Sequence, residues 1–237
     1  LYMYLSLWEF SYNMKTILTL LYGDKYSSSD VDYIYTATKG KYNYVCLTDR
    51  QNQMHIDARI KTVLLDESLE SNWRKLELFN IPNLGKVIYL DLDTVIQGDI
   101  EPLFEYCSTP TICKTYWKNA FPFPSEYNSS VMAWENNDAQ HVYKYYLEHE
   151  DYYAIKYDNN DDWFLYHEDQ FQSVFPKGLI YSFLCGVDVQ TDTSPRAYQL
   201  KPEYPIVLLN GQSEIEENLR QKYDALYLHE MGKQVLS

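Results

Sequence analysis

Residues 86–99 read KVIYLDLDTVIQGD. Val87 to Leu90 is apolar without polar alternation, the pattern of a strand buried on both faces in the parallel sheet of an α/β protein. Ligands in such sheets bind beyond the carboxyl ends of the strands. Side chains two apart on an extended backbone share a face, so the spacing predicts Asp91 and Asp93 pointing together while Leu92 packs inward. Paired carboxylates are hard oxygen donors that suit Mg²⁺ or Mn²⁺ and leave positions for phosphate oxygens.

Working outward, strand-like runs fall at 15–22, 42–48, 62–65, 86–96, 111–116, 130–134, 179–183 and 206–209, with helix-like segments between several of them. This alternation predicts an α/β fold. Ser28, Ser29 and Asp30 can cap a helix running to about residue 39, and Ser71 or Asn72 can cap another through Phe79, stopped by Pro82 and Gly85. A third helix is predicted over 138–150. The run at 158–162, Asp-Asn-Asn-Asp-Asp, reads as a polar loop, and 120–125, Ala-Phe-Pro-Phe-Pro-Ser, as an aromatic one punctuated by proline.

At 237 residues the chain can build one large core, and residues 14–237 read as one domain. Residues 1–13 precede Met14-Lys-Thr-Ile-Leu, which looks like a natural start, and are read as an upstream extension. A net charge of −14 argues against nucleic acid or an anionic membrane surface as partner. An anionic substrate would then need a cation beside it. Twenty-five tyrosines supply flat apolar bodies with polar tips, suited to sugars and bases as well as to packing. Cys46, Cys107, Cys113 and Cys185 show no C-x-x-C spacing, and Cys46 and Cys113 lie in apolar runs, so reduced, buried thiols in a cytoplasmic protein are expected. No segment has the length and apolarity of a membrane span, and the oligomeric state is open. The histidines at 55, 141, 149, 167 and 229 share no metal-ligand spacing.

The ordered set WRKLELFNIPNLGKVIYLDLDTVIQGDIEPLF, YNSSVMAWE (127–135), HEDQF (167–171) and PIVLLNGQ (205–212) resembles GT-A glycosyltransferases of the glycogenin and galactinol synthase type. The resemblance covers roughly residues 14–212. It implies a single GT-A, Rossmann-like domain with a mostly parallel central sheet, a nucleotide-sugar donor, UDP-sugar above others, a carbohydrate or protein acceptor, and Mn²⁺ or Mg²⁺ as cofactor. In that pattern Asp91 and Asp93 hold the metal, and Lys75 adds positive charge near the donor. Asn128, with Ser129, matches an N-S-G-V run that contacts the sugar, although Ser130 stands where the pattern has glycine. Asp169 and Gln170 match a D-Q pair at the start of a helix facing the reacting carbon, implying a catalytic role and retention of configuration. Glu168 is the alternative acid or base if the reaction inverts. Tyr22, Asp24 and Tyr26, after the first strand, fall where the base and ribose are contacted. The third metal ligand, a histidine in the pattern, is replaced by Asn210, whose amide oxygen is a weaker ligand.

Two other readings fit part of the pattern. Asp91-Leu-Asp93-Thr-Val95-Ile96 also resembles the D-x-D-x-[TV]-[LVI] motif of haloacid-dehalogenase-type phosphatases, in which the first aspartate is a nucleophile and Mg²⁺ assists. That motif normally ends the first strand, and here some seventy-seven residues of the 14–237 domain, with two or three strands, precede it. An inactive GT-A carbohydrate-binding protein is the other alternative, suggested by Asn210 alone.

Overall fold

The alternation of burial along two central strands shows how the layers are built. In β1 (Lys15–Leu21), Leu18 and Leu20 face one hydrophobic cluster while Ile17 and Leu21 face another. In β4 (Lys86–Leu90), Val87 and Tyr89 are divided from Ile88 and Leu90 in the same way. Both strands are therefore covered on both faces, as their largely apolar sequences lead one to expect. The computed structural model describes residues 14–38, 40–66, 69–117, 126–157, 161–187, 200–209 and 213–235.

The remaining strands of the main sheet are β2 (Asn43–Thr48), β3 (Lys61–Leu64), β6 (Thr111–Lys114), β7 (Tyr127–Glu135) and β8 (Ser173–Val174). Seven strands take the order β3-β2-β1-β4-β7-β6-β8. Pairing is parallel except where β7 lies antiparallel to β4 and β6. A second sheet, in the order β5-β10-β9, contains β5 (Thr94–Ile96), β9 (Ile180–Ser182) and β10 (Ile206–Leu208). The expected mixed α/β fold with a mostly parallel central sheet is the one observed.

One face of the main sheet packs against a 3₁₀ helix, Ser71–Asn80, and against α3 (Gln140–Leu147), α4 (Glu150–Lys156) and α5 (Asp161–His167). A ten-residue 3₁₀ helix is long for its kind. Its sequence supports the winding: Trp73, Leu76 and Phe79 recur every third residue, eclipse one another at three residues per turn, and are all buried. The other face is covered by α1 (Ser28–Ala37), a short 3₁₀ helix Glu101–Tyr106, and part of the second sheet. The two-sheet core is completed by α6 (Ser213–Val235), whose Leu219 and Tyr223 are buried, Tyr223 in a third cluster with Val95, Tyr181, Phe183, Val207 and Leu209. The four-residue α2 (Arg50–Gln53) is capped by Asp49, which accepts from the Asn52 amide at 2.8 Å.

Several boundaries differ from the sequence reading for local reasons. Helix α1 starts one residue after Ser27, which forms a capping box with Asp30, rather than being capped by Ser28 or Ser29. The helix expected over 138–150 breaks at His149 into α3 and α4. Asp161 and Asp162 open α5 instead of closing a polar loop. The strand expected over 86–96 is two strands, and the D-x-D is the turn between them. The proposed extension 1–13, the aromatic loop 120–125 and Asn210 lie outside the described residues.

At Gly85, with φ of 70°, the chain turns into β4 directly beneath Met14, whose carbonyl accepts from the Lys86 amide at 2.8 Å. A Cβ at residue 85 would collide with that carbonyl. Glycine is thus required twice over, by conformation and by space.

Candidate active site

β4 ends at Leu90, and the backbone of Asp91 is still held to the sheet by a 2.9 Å bond from its amide to the Ser130 carbonyl. The turn then closes with the Thr94 amide donating to the Asp91 carbonyl at 3.0 Å, and β5 leaves for the second sheet. Leu92 is buried, as expected, whereas Asp91 and Asp93 are each part-exposed. Both carboxylates therefore stand at the seam between the two sheets, at the carboxyl edge of the central strands.

The Asp91 carboxylate is gripped from within. The Lys75 ammonium lies 3.1 Å from Oδ1 and 3.2 Å from Oδ2, and the Tyr89 hydroxyl donates to Oδ1. Lys75 also donates to Ser129 Oγ at 2.9 Å and lies 5.5 Å from the centre of the Tyr89 ring. Its side chain is only 13% exposed. Three elements thus meet here: the long 3₁₀ helix supplies Lys75, β4 supplies Tyr89 and Asp91, and β7 supplies Ser129. Asn128, next along β7, uses Oδ1 to accept from the Ser130 amide at 2.9 Å.

The family model for glycosyl transferase family 8 matches residues 12–151, which contain this whole cluster. The chain belongs to glycosyl transferase family 8. No curated protein matches it. Among solved structures, it resembles the apo form of the glycosyltransferase GlyE from Streptococcus pneumoniae TIGR4, with a TM-score of 0.54 and 14% identity over 94% of this chain and 64% of that one. It also resembles the apo form of mouse xyloside xylosyltransferase 1, with a TM-score of 0.51 and 13% identity over 83% of this chain and 97% of that one. At such identities the likeness is one of fold, the GT-A fold. This family 8 chain spans less than two thirds of the length of GlyE. Membership decides against the phosphatase reading of Asp91.

Other residues singled out in the sequence of this family 8 chain surround the cluster to different degrees. After β1, the Gly23 amide donates to Asp49 Oδ2 at 2.8 Å and Asn52 donates to the Gly23 carbonyl at 2.7 Å, so the loop carrying Tyr22, Asp24 and Tyr26 is tied to the end of β2. Tyr22 is half-buried with the Arg74 guanidinium 5.4 Å from its ring centre, Tyr26 is half-buried with Lys25 4.7 Å from its ring centre, and Asp24 is exposed. Arg74 and Asp49 escaped the sequence reading. Arg74 is adjacent to Lys75, and that adjacency in a chain of net charge −14 was the available signal.

Asp169 and Gln170 are corrected in place: they follow α5 rather than start a helix. Asp169 is exposed with φ of 53°, a left-handed conformation that aspartate tolerates better than most residues. Gln170 is buried, with Nε2 donating to the Glu168 carbonyl at 2.6 Å and Oε1 unpaired among the described residues. Tyr166, three residues before Asp169, stacks on Tyr127 with centroids 3.9 Å apart, which brings the α5 exit beside the start of β7 and Asn128. Glu168 is a different matter. It accepts from Lys156 at 2.7 Å, from Tyr145 at 3.1 Å and from the Tyr157 hydroxyl. Burial pushes its carboxyl up, but the hydrogen bonds from Lys156, Tyr157 and Tyr145 outweigh that and hold it below the usual carboxylate range. A carboxylate so occupied is a poor proton carrier.

All four cysteines are buried free thiols, and burial pushes Cys46 and Cys107 up to about 12. Among the described residues, no helix is long and apolar enough to cross a membrane, and no three His, Cys, Asp or Glu side chains converge as a complete metal site.

Proposed function

We propose that this chain transfers a sugar from a nucleoside-diphosphate sugar, with a UDP-sugar as donor, to a carbohydrate or protein acceptor, with retention of configuration and with Mn²⁺ or Mg²⁺ as cofactor. The observation that carries the reading is the pair Asp91 and Asp93 at the seam of the two sheets, with Lys75 anchored on Asp91. The donor set fits such an ion. Its charged members are carboxylate oxygens, and Asp91 keeps acceptor capacity after Lys75 and Tyr89, since an ionised carboxylate offers roughly four lone-pair sites. Asp91 and Asp93 would hold the metal, with Asn210 as a neutral third ligand. Bound there, the ion supplies positive charge that a departing diphosphate needs.

The chain's own residues bind and orient. Lys75 adds a fixed positive charge beside Asp91, and Arg74 a second beside Tyr22. Tyr22 or Tyr26 offers a ring to the base, and Asp24 an acceptor to base or ribose. Asn128 retains its amide donor for a sugar hydroxyl, and Ser129 holds Lys75. Gln170 has an Oε1 unpaired among the described residues, the group a sugar hydroxyl would satisfy. Asp169 and Gln170 would then face the reacting carbon. The buried, unbridged thiols support a reducing, cytoplasmic setting.

A thermal-shift screen of nucleotide sugars with and without Mn²⁺ tests this, because a ligand that binds only the native state raises the Tm. A metal-dependent rise of several degrees with one UDP-sugar is expected. If nucleotide sugars have no effect in any metal, the donor reading is wrong.

A further inference from the structure

We infer that Tyr89 is a positioning residue for the metal-binding carboxylate Asp91, a role that rests on the proposed metal-dependent donor site. Tyr89 reads in the sequence as one more apolar strand residue, and by burial it is one, at 1% exposed. Yet its hydroxyl is the only part of the ring edge with chemistry to offer, and it donates to Asp91 Oδ1. Residues 89 and 91 lie two apart at the end of β4, so the ring rises from the core on the face where Asp91 emerges. The same ring lies beneath the Lys75 ammonium, 5.5 Å from its centre.

Asp91 therefore has two donors of different kinds. Lys75 is a cation at the end of a four-carbon chain that spans both carboxylate oxygens and is itself shared with Ser129. Tyr89 is a rigid neutral donor fixed by core packing, with Val87, Leu18 and Met132 in the same cluster. The neutral, packed donor keeps its hold on the carboxylate when a divalent ion competes with Lys75 for Asp91 and a diphosphate draws the ammonium to itself. A group that orients a ligand in this way typically governs metal affinity by 10- to 100-fold.

The test compares the 237-residue parent, Tyr89→Phe and Tyr44→Phe for Mn²⁺ binding in the presence of UDP, by calorimetry and by the electron paramagnetic resonance of bound Mn²⁺. Tyr44 is a control: it is buried in the same sheet, its hydroxyl pairs at 3.2 Å with Thr19 and with the Val31 carbonyl, and it lies outside the site. Tyr89→Phe should bind Mn²⁺ about tenfold more weakly, with an altered resonance of the residual bound ion. Tyr44→Phe should bind as the parent does, even if its Tm falls further. Equal loss in both variants, or no loss in Tyr89→Phe, overturns the assignment. A parent that binds no Mn²⁺ overturns the metal site beneath it, a separate and recognisable failure.

Discussion

Two carboxylates in this molecule are held by nearly the same groups and stand in different places. Asp91 accepts from one lysine and one tyrosine, and Glu168 from one lysine and two tyrosines. Glu101, at the opposite edge of the sheet, is a third case, with Lys15, Lys41 and Tyr42 around it. In a chain with 34 acidic residues and 25 tyrosines, such knots are to be expected from composition. The knot itself is not a site. What separates Asp91 is its place, at a strand end with a second carboxylate two residues on and acceptor capacity left over. Glu168 has its donors packed around it at a helix exit and serves to pin α4, α5 and Tyr145 of α3 together.

The strongest way to break that contrast is at Asp93. If the proposed metal site is right, Asp93→Asn should weaken Mn²⁺-dependent UDP binding by about a hundredfold, roughly 2–3 kcal/mol, because one of its two proposed charged ligands is removed. Its Tm should stay near that of the parent, since the side chain stands part-exposed outside the core. Titration calorimetry with UDP and Mn²⁺ reads this directly, and parental affinity in a folded variant would remove Asp93 from the metal.

Glu168→Gln should behave in the opposite way. Weakening the two tyrosine hydrogen bonds to an ionised acceptor should cost about 1–2 kcal/mol. For a chain of this size that lowers the Tm by roughly 3–6 °C. Transfer activity per folded molecule should be unchanged. Activity lost without a change in Tm would make Glu168 the acid or base and erase the distinction.

The smallest effect is in its pH dependence. The folded-state carboxyl of Glu168 is held below its ordinary value of 4.5. Its contribution is therefore fully present above that value and fades as the pH falls through the lowered one. The Tm gap between parent and Glu168→Gln should be constant from pH 7 to 5 and close below 4.5. A gap that persists in strong acid would mean that packing, not charge, holds the knot.

The sequence carried the central sheet because β1, β2 and β4 are largely apolar, and it carried the position of the D-x-D because the 87–90 run ends there. It did not show that the D-x-D is a turn, since Asp91-Leu-Asp93 has no glycine or proline and β5 resumes in apolar residues. Helix α5 was hidden behind Asp158–Asp162, whose acidic end is a favourable helix start as well as a loop signal. That misreading carried over to Asp169 and Gln170, which sit at the other end of the helix from where they were expected. The role of Tyr89 was illegible for a plainer reason: a strand tyrosine reveals its hydroxyl's partner only when the neighbouring turn is seen in space.

The pairing of β5 with β10 has a consequence during synthesis. Asp93 precedes β5, and β5 is fixed by antiparallel register from Thr94 against Leu208 to Ile96 against Ile206. A growing chain can pair β1, β2 and β4 once residue 90 has emerged, but the strand that follows the second carboxylate finds its partner only when residue 208 has emerged and docked. Such long-range closure is slow and comes late. A nascent chain on the ribosome would therefore carry Asp91 in its grip well before β5, which follows Asp93, is paired with β10.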